Sequence, residues 1–124
     1  MPATPAEATI TEITNLITFD TTSRDTNLPL IDHVEARLQA AGIESRRIPN
    51  PEGTKANLLA TIPAADGTTT GGIVLSGHTD VVPVDGQDWS SDPFKPEIRD
   101  GKYFARGSAD MKSFVGVILS RLEA

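Results

Sequence analysis

Hydrophobic residues near the start of the chain recur at helical spacing. Four of them lie three or four positions apart: Ile10, Ile13, Leu16 and Ile17. This spacing predicts a helix over about residues 5–19, and Thr4 and Glu7 have the separation of a capping box at its start. After the polar, turn-forming residues 20–27, a second helical face is formed by Leu30, Val34, Leu38 and Ala41. Gly42 is typical of a helix end and predicts the stop of this second helix.

Beyond Gly42 the apolar residues form short runs that are typical of strands. Residues 44–49 predict an edge strand, residues 56–63 a second strand and residues 102–107 a last one. Residues 72–77, GIVLSG, are apolar on consecutive positions, which predicts a buried central strand. A last helical stripe begins near Asp110 and contains Met111, Val115, Ile118, Leu119 and Leu122. This order predicts an α/β fold with a mixed sheet flanked by helices.

Composition narrows the classes of function. The 124 residues are 38% hydrophobic and carry a net charge of -6, enough for one domain with a core but unlike a nucleic-acid-binding or membrane-surface protein. There is no cysteine, which excludes thiolate metal ligands and a cysteine nucleophile. The first residues lack a cationic and apolar leader, so a cytoplasmic location is expected, with neither nucleic acid nor membrane as partner.

The segment SGHTDVVP, residues 76–83, contains the first candidate site. His78 directly follows the apolar run, so it is expected at the carboxyl end of the predicted central strand, where ligands of open α/β sheets bind. Asp80 lies two residues on and therefore on the same side of an extended chain. A carboxylate there can accept one imidazole N–H and leave the other nitrogen for a metal. By itself a His-x-Asp pair is also typical of capping or surface polar groups.

A second candidate is the segment ARGSADMKS, residues 105–113. Asp110 lies where the last predicted strand gives way to a helix, and it is 30 residues after Asp80. Such a residue can lie beside His78 across a sheet. Because a carboxylate has two oxygens, Asp110 is able to bridge two metal ions.

Together these segments resemble the signature region of the M20 metallopeptidase family. The resemblance is carried by SGHTDVVPV, DGQDWSSDPFKP and DGKYFARGSADMKS, and it extends from about residue 10 to the end of the chain. The earlier stretch FDTTSRDTNLPLIDHVEARLQAAGIES is similar to the start of the acetylornithine deacetylase branch of that family.

The resemblance implies roles for three residues. His78 matches a histidine that binds one zinc ion, Asp80 matches the aspartate that orients it, and Asp110 matches the carboxylate that bridges two ions. Zinc is the implied cofactor, with cobalt as the alternative and two ions in the intact enzyme. The family often has a cis peptide bond after the bridging aspartate, which implies one between Asp110 and Met111 in the complete, metal-bound protein.

The family's remaining functional residues have no counterpart in these 124 residues. They are a pair of glutamates, one of them the general base, a further acidic ligand and a distal histidine. The chain is therefore expected to be the amino-terminal part of a zinc-peptidase-like catalytic domain, without the rest of that domain or the dimerisation domain. By itself it is expected to be inactive.

For the intact protein, the resemblance implies hydrolysis of N-acetylornithine to acetate and ornithine, a step of arginine biosynthesis, by a homodimer. A small N-acyl amino acid would be its substrate. Succinyl-diaminopimelate desuccinylase and the aminoacylases and dipeptidases of the same family are alternatives. An alternative of another class is a non-catalytic metal-binding or interaction domain.

Four further residues lie in or near these segments or are candidate ligands by type. Ser113 and Ala105 stand where glycine is common in the family, and Ser113 is close enough in sequence to Asp110 to crowd a metal or the helix start. Arg106 is a candidate to bind a substrate carboxylate or to pair with an acid. His33, on the second helix, is expected to have no ligand role.

Overall fold

The computed structural model describes residues 4–122, which form three helices and four strands. The elements in chain order are α1 (Glu7–Thr18), α2 (Leu28–Ala40), β1 (Ser45–Pro49), β2 (Ala56–Ala60), β3 (Glu97–Arg99), β4 (Lys102–Phe104) and α3 (Lys112–Leu119). The predicted α/β class is confirmed. The strands pair as two antiparallel sheets, β1 with β2 and β3 with β4, rather than in one mixed sheet.

Both long helices form where the hydrophobic spacing predicts them. Helix α2 ends before Gly42, which has a φ of 72° and so takes the left-handed conformation that favours glycine. Helix α1 begins two residues later than predicted. The capping-box prediction for Thr4 is wrong, because the cap residue is Ala6 and it makes no side-chain hydrogen bond.

The main core lies where the three helices meet strand β2. Its buried members are Leu16, Leu30, Ile31, Val34, Leu38, Ala56 and Leu119. Helix α3 approaches α1 closely, since a Cβ built on Gly116 would lie only 2.6 Å from Cγ1 of Ile13. The two helices are also joined by a hydrogen bond of 2.9 Å between the hydroxyls of Thr9 and Ser120. The end of the described chain is therefore packed against its beginning.

Each sheet is a short hairpin. The register of the first pairs Ser45 with Ala60 and Pro49 with Ala56. The second hairpin turns at Asp100 and Gly101, which have φ values of 50° and 71°. Strand β3 is absent from the sequence-based prediction, although an Asp-Gly pair with alternating hydrophobic residues on either side, here Ile98 and Tyr103, is a strong hairpin signal. Strand β4 is shorter than the predicted strand over residues 102–107.

The prediction of a buried central strand over residues 72–77 is wrong. Ile73 and Val74 are each 89% exposed, and none of the residues 73–80 lies in a strand. A strand requires a neighbour that accepts and donates its backbone hydrogen bonds, and no strand described between residues 4 and 122 lies beside this run. Just beyond this run, Val81 forms an isolated parallel bridge with Thr22.

A buried polar cluster links α1 to α2. The carboxylate of Glu12, a residue only 6% exposed, contacts Nε2 of His33 at 2.5 Å and accepts a hydrogen bond of 3.1 Å from Nε of Arg37. His33 is thus engaged by a carboxylate of the neighbouring helix, far along the chain from His78.

Of the described helices, none combines the length and the apolar character needed to cross a membrane.

Glu12→Ala should lower the free energy of unfolding by about 1–3 kcal/mol, because it leaves two half-buried donors without their acceptor. Glu12→Gln keeps the volume and one acceptor oxygen and should cost less. Thr11→Ala, at an exposed position on the same helix, is the matched control. Denaturant unfolding of the three variants measures the difference, and equal midpoints for Glu12→Ala and Thr11→Ala would show that the cluster contributes nothing.

Candidate functional site

The first half of the site lies on an extended segment with alternating exposure. Val81 is buried, at 2% exposure, and its backbone pairs on both sides: its N–H donates to Thr21 O at 3.1 Å, and its carbonyl accepts from the N–H of Ser23 at 3.0 Å. His78 and Asp80 are exposed. The segment is therefore fixed to residues 21–23 by Val81, while its polar side chains face outward.

The second half of the site is the loop between β4 and α3. At Gly107, which has a φ of 88°, a Cβ would lie 2.9 Å from Cγ1 of Val81. Only glycine allows the loop to come this close to the first half of the site. The loop also receives a backbone hydrogen bond of 2.9 Å from the N–H of Lys112 to Gly107 O.

Lys112 is the largest fully buried side chain in the described region, at 1% exposure. Its Nζ donates a hydrogen bond of 2.6 Å to the carbonyl of Phe19. Burial lowers the pKa of Lys112 to about 8, with the charge of Asp20 acting in the opposite direction. Lys112 thus fastens the start of α3 to the end of α1, on the inner side of the loop that carries Asp110.

The three predicted site residues converge. Nε2 of His78 lies 2.9 Å from Oδ1 of Asp110, and Nδ1 of the same ring lies 3.0 Å from Oδ1 of Asp80. Nδ1 is also 3.0 Å from the backbone carbonyl of Asp80. An imidazole whose Nδ1–H is taken by Asp80 presents Nε2 toward Asp110. The predicted adjacency of His78, Asp80 and Asp110 is therefore present in the structure.

The carboxylates affect the protonation of the ring. The hydrogen bond from His78 to Asp110 raises the pKa of His78 above its usual value; burial opposes this effect, and Asp80 adds to it. The three side chains are 49%, 53% and 84% exposed for His78, Asp80 and Asp110. The site is thus open to solvent. A cation bound to Nε2 of His78 would face the carboxylate of Asp110.

The donor set fits part of a zinc site. Imidazole nitrogen and carboxylate oxygen are ligands that zinc takes, and two ligands on one tetrahedral ion lie roughly 3.3 Å apart for bonds of about 2.0–2.1 Å. Nε2 of His78 and Oδ1 of Asp110 are already 2.9 Å apart. Within residues 4–122, no group of three or more His, Cys, Asp or Glu side chains is arranged to hold a metal. His78 and Asp110 could therefore hold zinc only as two of the four ligands that such a site usually has.

The peptide bond after Asp110 has the conformation that the family resemblance implies. The Asp110–Met111 peptide bond is cis. Sδ of Met111 accepts a hydrogen bond of 3.4 Å from the N–H of His78, a further link between the two halves of the site. The hydroxyl of Ser113 donates to Ser108 O. This hydrogen bond turns the Ser113 side chain to the loop, and crowding of a metal by Ser113 stays a prediction.

The side chain of Arg106 contacts two residues that are not acidic. Its Nη2 donates to Oε1 of Gln87, and its guanidinium lies over the ring of Trp89 at 5.3 Å from the centroid. Among the ion pairs of the described residues, none involves Arg106. The alternative of pairing with an acid is not realised here, and binding of a substrate carboxylate by Arg106 stays a prediction.

Sequence reasoning missed the residues that support the site from behind. Thr21 and Asn27 both contact Thr79, the residue between His78 and Asp80. They lie in the segment that the sequence describes only as turn-forming. Their distance of more than fifty positions from Thr79 leaves no local signal for these contacts.

Comparison with known proteins identifies a family that the sequence of this chain matches. Residues 74–124 match the model of Peptidase family M20/M25/M40. The chain is 38% identical over 110 residues to the acetylornithine deacetylase of Myxococcus xanthus, covering 86% of this chain and 28% of that protein. It is 40% identical over 105 residues to the acetylornithine deacetylase of Proteus mirabilis (strain HI4320), covering 83% and 26%.

A relative with another name shares a shorter stretch. The succinyl-diaminopimelate desuccinylase of Dechloromonas aromatica (strain RCB) is 49% identical over 69 residues, which is 55% of this chain and 18% of that protein. The chain spans about a quarter of the length of the two deacetylases. The matched residues 74–124 contain both halves of the site, and the stretch that carries His78, Asp80 and Asp110 therefore belongs to peptidase family M20/M25/M40.

Proposed function

We propose that this chain is the amino-terminal part of the catalytic domain of a metal-dependent amidohydrolase whose substrate is an N-acyl amino acid. The observation that supports it most strongly is the convergence of His78, Asp80 and Asp110 from two distant segments. The preferred reaction is the hydrolysis of N-acetylornithine to acetate and ornithine. Its support is the identity of 38–40% to two proteins named acetylornithine deacetylase over more than four fifths of this chain.

Each residue has a distinct part in the proposed site. His78 and Asp110 would hold zinc, and Asp80 would keep the proton on Nδ1 so that Nε2 stays available. When bound, zinc supplies Lewis acidity toward the amide carbonyl and makes a water molecule more acidic. The exposure of all three side chains leaves room for a substrate and for ligands from elsewhere in the protein.

Succinyl-diaminopimelate desuccinylase is the second candidate function. Its support is the higher identity, 49%, to a protein of that name, although over only 55% of this chain. Both candidate substrates are linear amides of diamino acids. They differ in the diamino acid and in the acyl group, which carries a free carboxylate only in the succinyl substrate. The homodimeric state and the cytoplasmic location of the full-length protein stay predictions.

Turnover of both substrates by the full-length protein tests the proposal. The protein is stripped with a chelator, reloaded with zinc or cobalt, and given N-acetylornithine or N-succinyl-diaminopimelate in parallel. A metal-dependent release of ornithine with a higher kcat/KM than for the succinyl substrate supports the deacetylase. The reverse ratio supports the desuccinylase. Metal binding without turnover of any N-acyl amino acid would overturn the enzymatic proposal in favour of a non-catalytic metal-binding domain.

The 124-residue chain alone should show no measurable deacetylase activity. Hydrolysis requires a base within hydrogen-bond reach of the attacking water, and the resemblance implies that this base and the remaining ligands come from outside these residues. Release of ornithine from N-acetylornithine by the zinc-loaded chain is the measurement, with the full-length protein as positive control. Turnover above the buffer rate would mean that these 124 residues already contain the base.

A further inference from the structure

Thr79 separates the two site residues that share a segment, and its own polar groups face the opposite way. Its carbonyl accepts a hydrogen bond of 2.5 Å from the hydroxyl of Thr21, and its hydroxyl accepts one of 3.1 Å from Nδ2 of Asn27. Because side chains alternate along an extended chain, residues 79 and 81 contact the interior while residues 78 and 80 face the site.

Thr21 is built into this contact on two sides. The residue is only 2% exposed, so water cannot readily replace its hydroxyl as the partner of Thr79. Its backbone carbonyl simultaneously accepts the N–H of Val81 at 3.1 Å. One residue therefore fixes the peptide units before and after Asp80.

Asn27 anchors the same segment to the rest of the fold. Its amide exchanges two hydrogen bonds with the backbone of Ala56, at 2.9 and 3.0 Å, where strand β2 begins. The amide plane is fixed by this pair, which leaves its second Nδ2 proton for Thr79. Asn27 thus fixes the position of Thr79 relative to α2 and β2, two elements of the core.

We infer that Thr21, assisted by Asn27, is a positioning residue: its hydroxyl fixes the Thr79 carbonyl and thereby the orientation in which Asp80 meets Nδ1 of His78. The reason is geometric. Nδ1 lies 3.0 Å from both the carboxylate and the backbone carbonyl of Asp80, so the ring is held by one residue whose preceding peptide unit Thr21 fixes. Rotation of that unit would move both acceptors. This inference rests on the proposed function in taking His78 as a metal ligand.

Thr21→Val and Thr21→Ser in the full-length protein test it. Valine has the shape of threonine without the hydroxyl, and serine restores the hydroxyl. In the metal-free protein, at a pH high enough to keep the His78 ring neutral, the ¹⁵N shifts of the ring should show a defined Nδ1–H tautomer in the wild type and in Thr21→Ser, and tautomer averaging in Thr21→Val. Zinc affinity, from competition with a chelator, should fall in Thr21→Val by roughly 10-fold, the lower end of the range for outer partners of metal ligands.

Thr22→Val is the matched control. Thr22 is equally buried, at 2% exposure, but its hydroxyl donates to Asp20 Oδ1 at 2.6 Å and not to Thr79. Any loss of stability common to a buried hydroxyl should appear in both valine variants. The change in the His78 shifts should appear only in Thr21→Val. Identical shifts and zinc affinity in folded Thr21→Val and wild type would overturn the inference.

A second variant covers the case in which Thr21→Val does not fold. Thr79→Val removes the acceptor of the Asn27 bond and keeps the carbonyl that Thr21 contacts, so it should change the ring shifts and zinc affinity in the same direction but less. A folded Thr79→Val with wild-type shifts and affinity contradicts the role of Asn27. The metal-free ring shifts decide the inference even if no N-acyl amino acid is hydrolysed, which separates its failure from that of the proposed function.

Discussion

His78→Ala in the full-length protein should lower zinc affinity by more than about 100-fold. The kcat/KM for hydrolysis should fall by a similar factor. Under the proposed function the change removes an inner ligand, whereas loss of an outer partner costs roughly 10–100-fold. It also leaves Asp110 without the imidazole that lies 2.9 Å away. The measurements are zinc affinity by chelator competition and kcat/KM on the preferred substrate.

His33→Ala is the matched control for this prediction. His33 is the other of the two histidines in the chain, and its partner is the carboxylate of Glu12 at 2.5 Å. Its loss should reduce stability and leave zinc affinity unchanged. Zinc affinity that survives His78→Ala, or that falls equally in His33→Ala, would show that His78 is not the ligand.

Gly116→Ala should lower stability by about 1–3 kcal/mol, even though alanine is favoured over glycine in a helix by about 1 kcal/mol. The added Cβ would lie 2.6 Å from Cγ1 of Ile13 and 3.0 and 3.1 Å from its Cα and N. The Ile13 side chain can rotate away, but the backbone of α1 can yield only if α1 and α3 separate. The unfolding midpoint of the full-length protein, by calorimetry or denaturant, gives the effect.

Val117→Ala is the neighbouring control on the same helix. Val117 is 46% exposed, so its truncation should change stability by no more than about 0.5 kcal/mol. A Gly116→Ala variant as stable as Val117→Ala would mean that α1 and α3 lie further apart than the structure has them. A more stable variant would mean that helix propensity outweighs the contact.

The helices were predictable because their signal is local. The apolar residues Ile13, Leu16 and Ile17 repeat within one segment, and their burial follows from that repeat. The strand predicted over residues 72–77 failed for the opposite reason. An apolar run can indicate a strand, but the neighbour that completes it lies elsewhere in the chain, and no such neighbour is among the described residues.

The site divides in the same way. His78 and Asp80 are two positions apart, so their contact follows from the geometry of an extended chain. Asp110 was placed beside His78 by its expected position across a sheet and by the family resemblance, since a separation of thirty residues does not by itself fix a distance. Thr21 gave no signal, because its contact with Thr79 depends on how two distant turns are packed.

The open run at residues 73–75 has a consequence for the colloidal behaviour of the 124-residue chain in solution. Ile73 and Val74 are 89% exposed and Leu75 is 60% exposed, on backbone outside any strand. Unpaired apolar backbone of this kind is a template for strand pairing between molecules. Self-association of the isolated chain would then increase with protein concentration, and segments that cover this run in a larger protein would suppress it. The isolated chain should therefore be kept at low concentration, because these three apolar residues are exposed.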